Sequence, residues 1–123
     1  MKFHFEPNLN HQLEAISAVA GVSGIFQGAP RVRPEERLWF GDVSNNVVKL
    51  PFEDWLENAK RIAKESGIEE PATIEQPDFS IEMETGTGKT YVYLRTIFEL
   101  NRRFGLHKFI IVVPSVAIRE VTL

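Results

Sequence analysis

The 123-residue sequence contains no cysteine, which excludes a disulfide framework, a thiolate zinc site and a cysteine nucleophile. Long apolar runs are also absent: the longest, residues 109–113, is far shorter than the ~20 residues of a membrane-spanning helix. The first residues, "MKFHFEPNLNHQ", lack the apolar stretch of a signal peptide. We therefore expect a soluble, cytoplasmic protein without a membrane partner.

The chain has no excess of positive charge either. Its net charge is −3, so contact with nucleic acid would require a local basic patch. The three histidines, His4, His11 and His107, do not have the spacing of metal ligands. A hydrophobic content of 43% and this length are typical of one domain with a modest core.

The first half of the chain predicts a helix and a short hairpin. Leu13, Ile16 and Val19 recur at helical spacing, which predicts a helix over residues 8–20 that ends at Gly21. Residues 27–37 carry turn residues without periodicity and are expected to form a loop. The segments "RLWF" and "VVKL" flank "GDVSNN", which predicts two short strands joined by a turn.

A second helix is predicted over residues 52–66. Apolar residues recur there at helical spacing, Pro51 precedes the segment and Gly67 follows it. Trp55 lies on the apolar face of this helix, and we expect both Trp39 and Trp55 to belong to the core. Residues 68–78 then read as a polar linker punctuated by proline.

The last third predicts a strand, a glycine turn, a helix and a second strand. "FSIEM", residues 79–83, alternates apolar and polar residues, and "KFIIVV", residues 108–113, contains the continuous apolar run 109–113, as in a buried parallel strand. Between them a helix is predicted from Lys89 to about Arg103, ending at Gly105, with a buried stripe of Leu94, Ile97 and Phe98. This order is a βαβ unit of an α/β fold.

The turn between the first strand and this helix reads "TGTGKT", residues 85–90. Gly86 and Gly88 would let successive N–H groups converge on an anion at the positive end of the helix. Lys89 would reach the β- and γ-phosphates of a nucleotide, and the Thr90 hydroxyl would bind Mg²⁺. The contact residues predicted for ATP are Thr85, Gly86, Thr87, Gly88, Lys89 and Thr90.

The match to the P-loop pattern G-x-x-x-x-G-K-[ST] is incomplete, because Met83 occupies the place of the first glycine. The alternative is a plain strand-to-helix turn with Lys89 as a solvated charge. The predicted strand before the loop and the helix after it favour a phosphate site.

Nearly the whole chain, and most clearly residues 1–28 and 78–120, resembles the restriction (Res) subunit of type III restriction enzymes, an ATP-dependent motor of helicase superfamily two. The resemblance is carried by "FSIEMETGTGKTYVYLRTIFELNRRFG", by "KFIIVVPSVAIRE" and by "FEPNLNHQLEAISAVAGVSGIFQG". Motors of this group often lack the first glycine of the phosphate loop. The resemblance implies a partial RecA-like P-loop NTPase fold, a parallel sheet with flanking helices, that is incomplete in this chain.

The resemblance divides the chain into three parts of one motor-domain segment, residues 1–123. Residues 1–28 would carry the adenine motif, residues 29–77 an insertion with the helix 52–66, and residues 78–123 the P-loop βαβ segment. Gln12 stands where such motors place a glutamine that reads the adenine edge, with His11 in the place of the preceding aromatic residue. A solvent-facing glutamine is the alternative at this stage.

The resemblance also implies contacts with double-stranded DNA. Ser115 would cap a helix and donate to a DNA phosphate, and Arg119 would pair with another phosphate. An ordinary helix cap and a surface arginine are the alternative. Type III enzymes also act with a modification (Mod) methyltransferase subunit, which is the protein partner that the resemblance implies.

The residues that complete ATP hydrolysis are missing from the sequence. After residue 90 there is no acidic pair at the end of an apolar strand, no second lobe with arginines and no nuclease motif. We therefore interpret the chain as an ATP-binding, N-terminal segment of a Res subunit that lacks catalysis by itself, and we expect a truncated or frameshifted reading frame as its origin. The alternative is a freestanding small P-loop protein or nucleotide kinase.

Overall fold

The computed structural model describes residues 9–68 and 78–114. Three helices dominate these residues: α1 (Asn10–Ala20), α2 (Phe52–Glu65) and α3 (Lys89–Phe104). A single 3₁₀ turn (Pro34–Glu36) and a hairpin of β1 (Trp39–Phe40) and β2 (Val43–Ser44) lie between α1 and α2. Within the described residues, no helix is long and apolar enough to span a membrane.

The three helices confirm the sequence prediction within one or two residues at each end. Pro51 precedes α2, and Gly67 follows it with a positive φ of 80°. Gly105 ends α3 with a φ of 77°, and its N–H donates to the Asn101 carbonyl. These ends are predictable because helix stop signals act over only a few residues.

Helix α1 packs against α3, and two apolar clusters fill the contact. Ala15 and Ile16 meet Val92 near the start of α3, with Met83 alongside. Near the end of α3, Ala20 meets Leu100 and Leu106. The two helices therefore run in the same direction, which places the start of α1 beside the glycine-rich turn that precedes α3.

The loop before the hairpin wraps the carboxyl end of α3. Arg31 donates to the carbonyl oxygens of Asn101 and Arg102, and Arg37 donates to that of Gly105 over 3.0 Å. The Asn101 carbonyl also accepts the Gly105 N–H, and the last carbonyls of a helix carry the negative end of its dipole. Two arginines from a segment predicted as an unpatterned loop thus cap α3.

The hairpin lies at a different register from the one predicted. The first strand falls within "RLWF", but the second is Val43–Ser44, inside the predicted turn, and "VVKL" is not a strand. Phe40 pairs with Val43, so the turn is only Gly41-Asp42, a pair that suits two-residue hairpins. The prediction of the second strand was wrong because it followed hydrophobicity instead of turn chemistry.

Helix α2 is held on the loop that follows α1. Asn58 donates to the Ile25 and Gln27 carbonyls over 3.0 and 3.1 Å. The Trp55 ring meets Phe26 edge-on with centroids 5.1 Å apart. Trp55 is half-buried in this aromatic contact and belongs to neither core cluster, so its predicted place in the core is only partly met. Trp39 is 54% exposed, so its predicted place in the core is wrong.

The predicted stripe of α3 is partly wrong. Val92 and Leu100 are the buried residues of the helix, Leu94 and Ile97 are half-buried, and Phe98 is 74% exposed. The face of α3 that packs on α1 is rotated from the predicted face. Helical spacing fixes which residues share a face, but the position of the neighbouring helix decides which face is covered.

The predicted parallel strands are also wrong in this structure. Residues 79–83 and 108–113 carry no strand assignment, and β1–β2, an antiparallel pair, is the only sheet in the described part of the chain. Ile110 and Val112 are 93% and 88% exposed. A strand needs a hydrogen-bonded neighbour, and none of the described segments lies beside either stretch as a ladder partner.

Near its carboxyl end, α3 also carries an ion-pair cluster, from which a pH dependence of the free energy of unfolding can be predicted. The Glu99 carboxylate accepts from Arg102 over 2.6 Å and from Arg103 over 2.9 Å. The hydrogen bond from Arg102 lowers the pKa of Glu99 below its ordinary 4.5, against an opposing effect of burial, and the Arg103 bond lowers it further. The folded protein therefore binds this proton less tightly than the unfolded chain does.

The contribution of Glu99 to stability should be complete above pH 4.5, the ordinary pKa, and lost as pH falls through the lower folded value. We expect Glu99→Gln to lower the free energy of unfolding by about 0.5–1 kcal/mol at pH 7 and by less at pH 3, measured by urea denaturation. Glu65→Gln is the matched control, since Glu65 pairs with Arg61 on an exposed surface. Equal effects of Glu99→Gln at both pH values would contradict the prediction.

Candidate phosphate-binding loop

The turn that precedes α3 is built by two glycines and one threonine. Gly86 and Gly88 have φ values of 78° and 84°, a backbone conformation that other residues rarely adopt. The Thr87 hydroxyl donates to the Glu84 carbonyl over 2.6 Å and closes the turn between them. The two glycines therefore supply the curl that the sequence predicted.

Gly88 is the residue that caps the start of α3. The hydrogen bonds found among the described residues do not use the N–H groups of Gly86, Gly88, Lys89 or Thr90. The first N–H groups of a helix have no partner inside it, and the helix dipole makes that end positive. The loop therefore presents unused donors and positive potential together, which is the chemistry that binds an anion.

Lys89 and Thr90 begin the helix directly after the loop. The Lys89 side chain is exposed, and among the residues that the structure describes it forms no ion pair or hydrogen bond. Thr90 is half-buried, and the Thr90 hydroxyl is likewise unused in the described part of the chain. Thr85 is exposed at the entry to the turn. Both side chains predicted to act on phosphate and Mg²⁺ are thus available.

Gln12 reaches the loop from the first turns of α1. Its amide Nε2 donates to the Thr87 carbonyl over 2.9 Å, and the side chain is only 4% exposed. The solvent-facing alternative for Gln12 is therefore wrong. The other end of the amide, Oε1, is buried without a hydrogen-bond partner among the described residues. A buried acceptor left unpaired costs about 1–3 kcal/mol, so this atom is suited to a donor brought by a ligand.

His11 contacts the same carbonyl. Its Nε2 lies 3.1 Å from the Thr87 oxygen, and donation requires the tautomer with the proton on Nε2. The sequence marked His11 only as a substitute for an aromatic residue, and no local signal indicates this bond. It was missed because 76 residues separate the partners.

Two features require glycine at residue 88: its positive φ and the closeness of the Gln12 side chain. A Cβ at residue 88 would lie 2.5 Å from the Gln12 Nε2 atom. The absence of a side chain thus allows the Gln12 amide to lie against the loop. The contact couples the position of α1 to the shape of the loop.

Two of the sequence predictions cannot be placed. Ser115 and Arg119, the predicted DNA contacts, lie outside the described residues. A surface depression lined by Gln27, Leu50 and Asp54 lies on α2, away from the phosphate loop. Its lining includes none of residues 84–90, where the chemistry predicted from the sequence is concentrated.

The comparisons with known proteins agree with one another. The family described as "Type III restriction enzyme, res subunit" matches residues 44–123, which include the whole phosphate loop. No solved structure matches the chain.

Three curated proteins are similar to the chain. The Res subunit of the Type III restriction-modification enzyme EcoPI, from Escherichia phage P1, is 37% identical, and that of EcoP15I, from Escherichia coli, is 34% identical. Both alignments cover 98% of this chain but 12% of the relative. The Res subunit of StyLTI, from Salmonella typhimurium, is 52% identical over 46 residues, which are 37% of this chain and 5% of that protein.

Proposed function

The chain belongs to the Type III restriction enzyme Res subunit family, and we propose that within it residues 84–90 bind the phosphate groups of ATP with Mg²⁺. The observation that carries the proposal is the set of unused donors at the start of α3. Backbone N–H groups, the Lys89 ammonium and the helix dipole all favour the same anion. Type III Res subunits in general use ATP with Mg²⁺, which is consistent with this donor set.

The residues of the loop fit a nucleotide triphosphate without rearrangement of a competing contact. Lys89 has no ion pair to break among the described residues, and Gly86 and Gly88 already hold the left-handed conformation. Such preorganisation lowers the entropy cost of binding. When bound, ATP would supply the phosphoryl group, and this chain's residues would bind and orient it.

Gln12 is proposed to contact the adenine base. Its Oε1 atom is a buried acceptor without a partner among the described residues, and the exocyclic amino group of adenine is a donor of the right kind. Its Nε2 atom is already bonded to Thr87. The start of α1 would thus contact the base and the loop before α3 would contact the phosphates, and these two segments are hydrogen-bonded to each other.

The Mg²⁺ role of Thr90 gives a direct test. We expect ATP to bind this chain more tightly with Mg²⁺ than with EDTA in isothermal titration calorimetry. Thr90→Ala should remove most of that difference and leave the Mg²⁺-free affinity unchanged, since the hydroxyl acts on the metal alone. Thr90→Ser, which retains the hydroxyl, should behave as the wild type.

Thr96→Ala is the matched control, because the Thr96 hydroxyl donates to the Val92 carbonyl within the same helix. It should keep the full Mg²⁺ effect. An unchanged Mg²⁺ effect in Thr90→Ala would reject the metal role. Failure of the wild-type chain to bind ATP at all would reject the proposed function.

The activity of the whole enzyme is a wider proposal. The chain spans about 12% of the length of the EcoPI and EcoP15I relatives. We place it as the ATP-binding segment of a Res subunit that couples ATP hydrolysis to translocation on double-stranded DNA and to cleavage, with the Mod methyltransferase as partner. Residues 1–28, 29–77 and 78–123 are its proposed parts, and Ser115 and Arg119 its proposed DNA contacts. Membership of this family does not support a freestanding nucleotide kinase.

A further inference from the structure

The Thr87 carbonyl is the point where α1 touches the phosphate loop. His11 Nε2 lies 3.1 Å and Gln12 Nε2 lies 2.9 Å from its oxygen. A carbonyl oxygen has two lone pairs and can accept both bonds. Both donors come from the first turn of one helix, so they approach the oxygen together.

The direction of this carbonyl fixes the direction of the next amide. The peptide between Thr87 and Gly88 is planar and trans, so its C=O and N–H point in opposite directions. Because the oxygen is held toward α1, the Gly88 N–H is held away from α1. That N–H is one of the donors that no described residue uses.

We propose that His11 and Gln12 form a clamp on the Thr87 carbonyl that orients the Gly88 N–H toward the phosphates of the nucleotide. The clamp rests on the proposed ATP site. In it, His11 and Gln12 would be positioning residues for the part of the site that binds the phosphates. Glycine at residue 88 has many accessible backbone conformations, so its peptide needs an external restraint to stay in one of them. The buried Gln12 amide and the His11 ring supply that restraint.

A ligand without a base separates this role from recognition of adenine. Tripolyphosphate would contact the loop and leave the adenine contact of Gln12 empty. We expect His11→Ala to weaken the binding of ATP and of tripolyphosphate by the same factor, about three- to tenfold, since one net hydrogen bond is lost. Isothermal titration calorimetry on this chain measures both affinities.

Three variants define what His11 contributes. His11→Phe keeps a ring without a donor and should bind as weakly as His11→Ala, whereas His11→Gln carries an N–H donor and should recover most of the affinity. Glu14→Gln, on an exposed site of the same helix, is the control and should bind as the wild type. Unchanged tripolyphosphate affinity in His11→Ala would overturn the clamp.

A measurement on the free chain tests the clamp even if the wild-type chain does not bind ATP. In ¹⁵N relaxation experiments on the free chain, we expect the Gly88 amide order parameter to fall in His11→Ala and further in His11→Ala/Gln12→Ala. An unchanged order parameter would overturn the clamp even if ATP binds. A reduced order parameter in a chain whose wild type binds neither ATP nor tripolyphosphate would support the clamp and reject the ATP site.

Discussion

Lys89→Ala should weaken ATP binding at least about thirtyfold, and we expect no binding isotherm at micromolar protein concentrations. Lys89 is the first residue of α3, where the proposed anion would bind, and hydrogen bonds to charged groups contribute about 1.5–3 kcal/mol each. Since every 1.4 kcal/mol is roughly tenfold in affinity, loss of charge and bond together reaches this magnitude. Isothermal titration calorimetry with Mg²⁺-ATP measures it.

The folded state should be unaffected by this change. Lys89 is exposed and makes no described ion pair, so the free energy of unfolding should move by no more than about 0.5 kcal/mol. Lys60→Ala, on the exposed face of α2, is the matched control and should bind ATP as the wild type does. ATP affinity that is equal in Lys89→Ala and Lys60→Ala would rule out the phosphate site.

Gly105→Ala should be strongly destabilising, at about 2–4 kcal/mol. Gly105 has a φ of 77°, which costs other residues roughly 1–2 kcal/mol. A Cβ there would also overlap the Val32 carbonyl oxygen. The Val32 backbone is held by its N–H bond to the Phe104 carbonyl over 3.1 Å, so relief requires the capping segment to move.

Gly67→Ala separates the two causes. Gly67 has a φ of 80°, but a Cβ there meets nothing within 4 Å, so only the backbone cost of about 1 kcal/mol should appear. Urea denaturation followed by circular dichroism measures both variants. If Gly105→Ala and Gly67→Ala lower the free energy of unfolding equally, the contact of a Cβ at residue 105 with Val32 adds no cost. The segment that caps α3 would then not be rigid.

The lower stability of Gly105→Ala should not be accompanied by a change in the conformation of residues 84–90. Gly105 lies at the far end of α3, 17 residues after Gly88 along the chain. The variant should therefore bind ATP with nearly wild-type affinity at temperatures where it remains folded. We thus expect substitutions at the end of α3 to change stability and substitutions at its start to change nucleotide binding.

The boundaries of the helices and the position of the glycine loop could be predicted because their causes are local. Pro51 and Gly67 bracket α2, and the pair of glycines before Lys89 determines where α3 begins. Such signals involve the backbone of a few neighbouring residues, so no knowledge of the rest of the chain is needed.

Apart from the second strand of the hairpin, the predictions that failed depended on a neighbour in space. The apolar stretch 108–113 has the composition of a buried strand, yet Ile110 is almost fully exposed because no ladder partner lies beside it in the described residues. Phe98 is exposed because α1 covers another face of α3. Composition predicts what a segment can bury, whereas packing decides what it does bury.

The amino-acid sequence by itself determined the three helices and the position of the glycine turn before Lys89, since each follows from residues within one or two turns. Only the tertiary structure decided that His11 and Gln12 meet the Thr87 carbonyl, across 76 and 75 residues of chain. That contact exists because Ala15 and Ile16 pack on Val92 and bring the start of α1 beside the loop. The burial of apolar surface between helices, which has no local signature, thus sets the geometry of the candidate site.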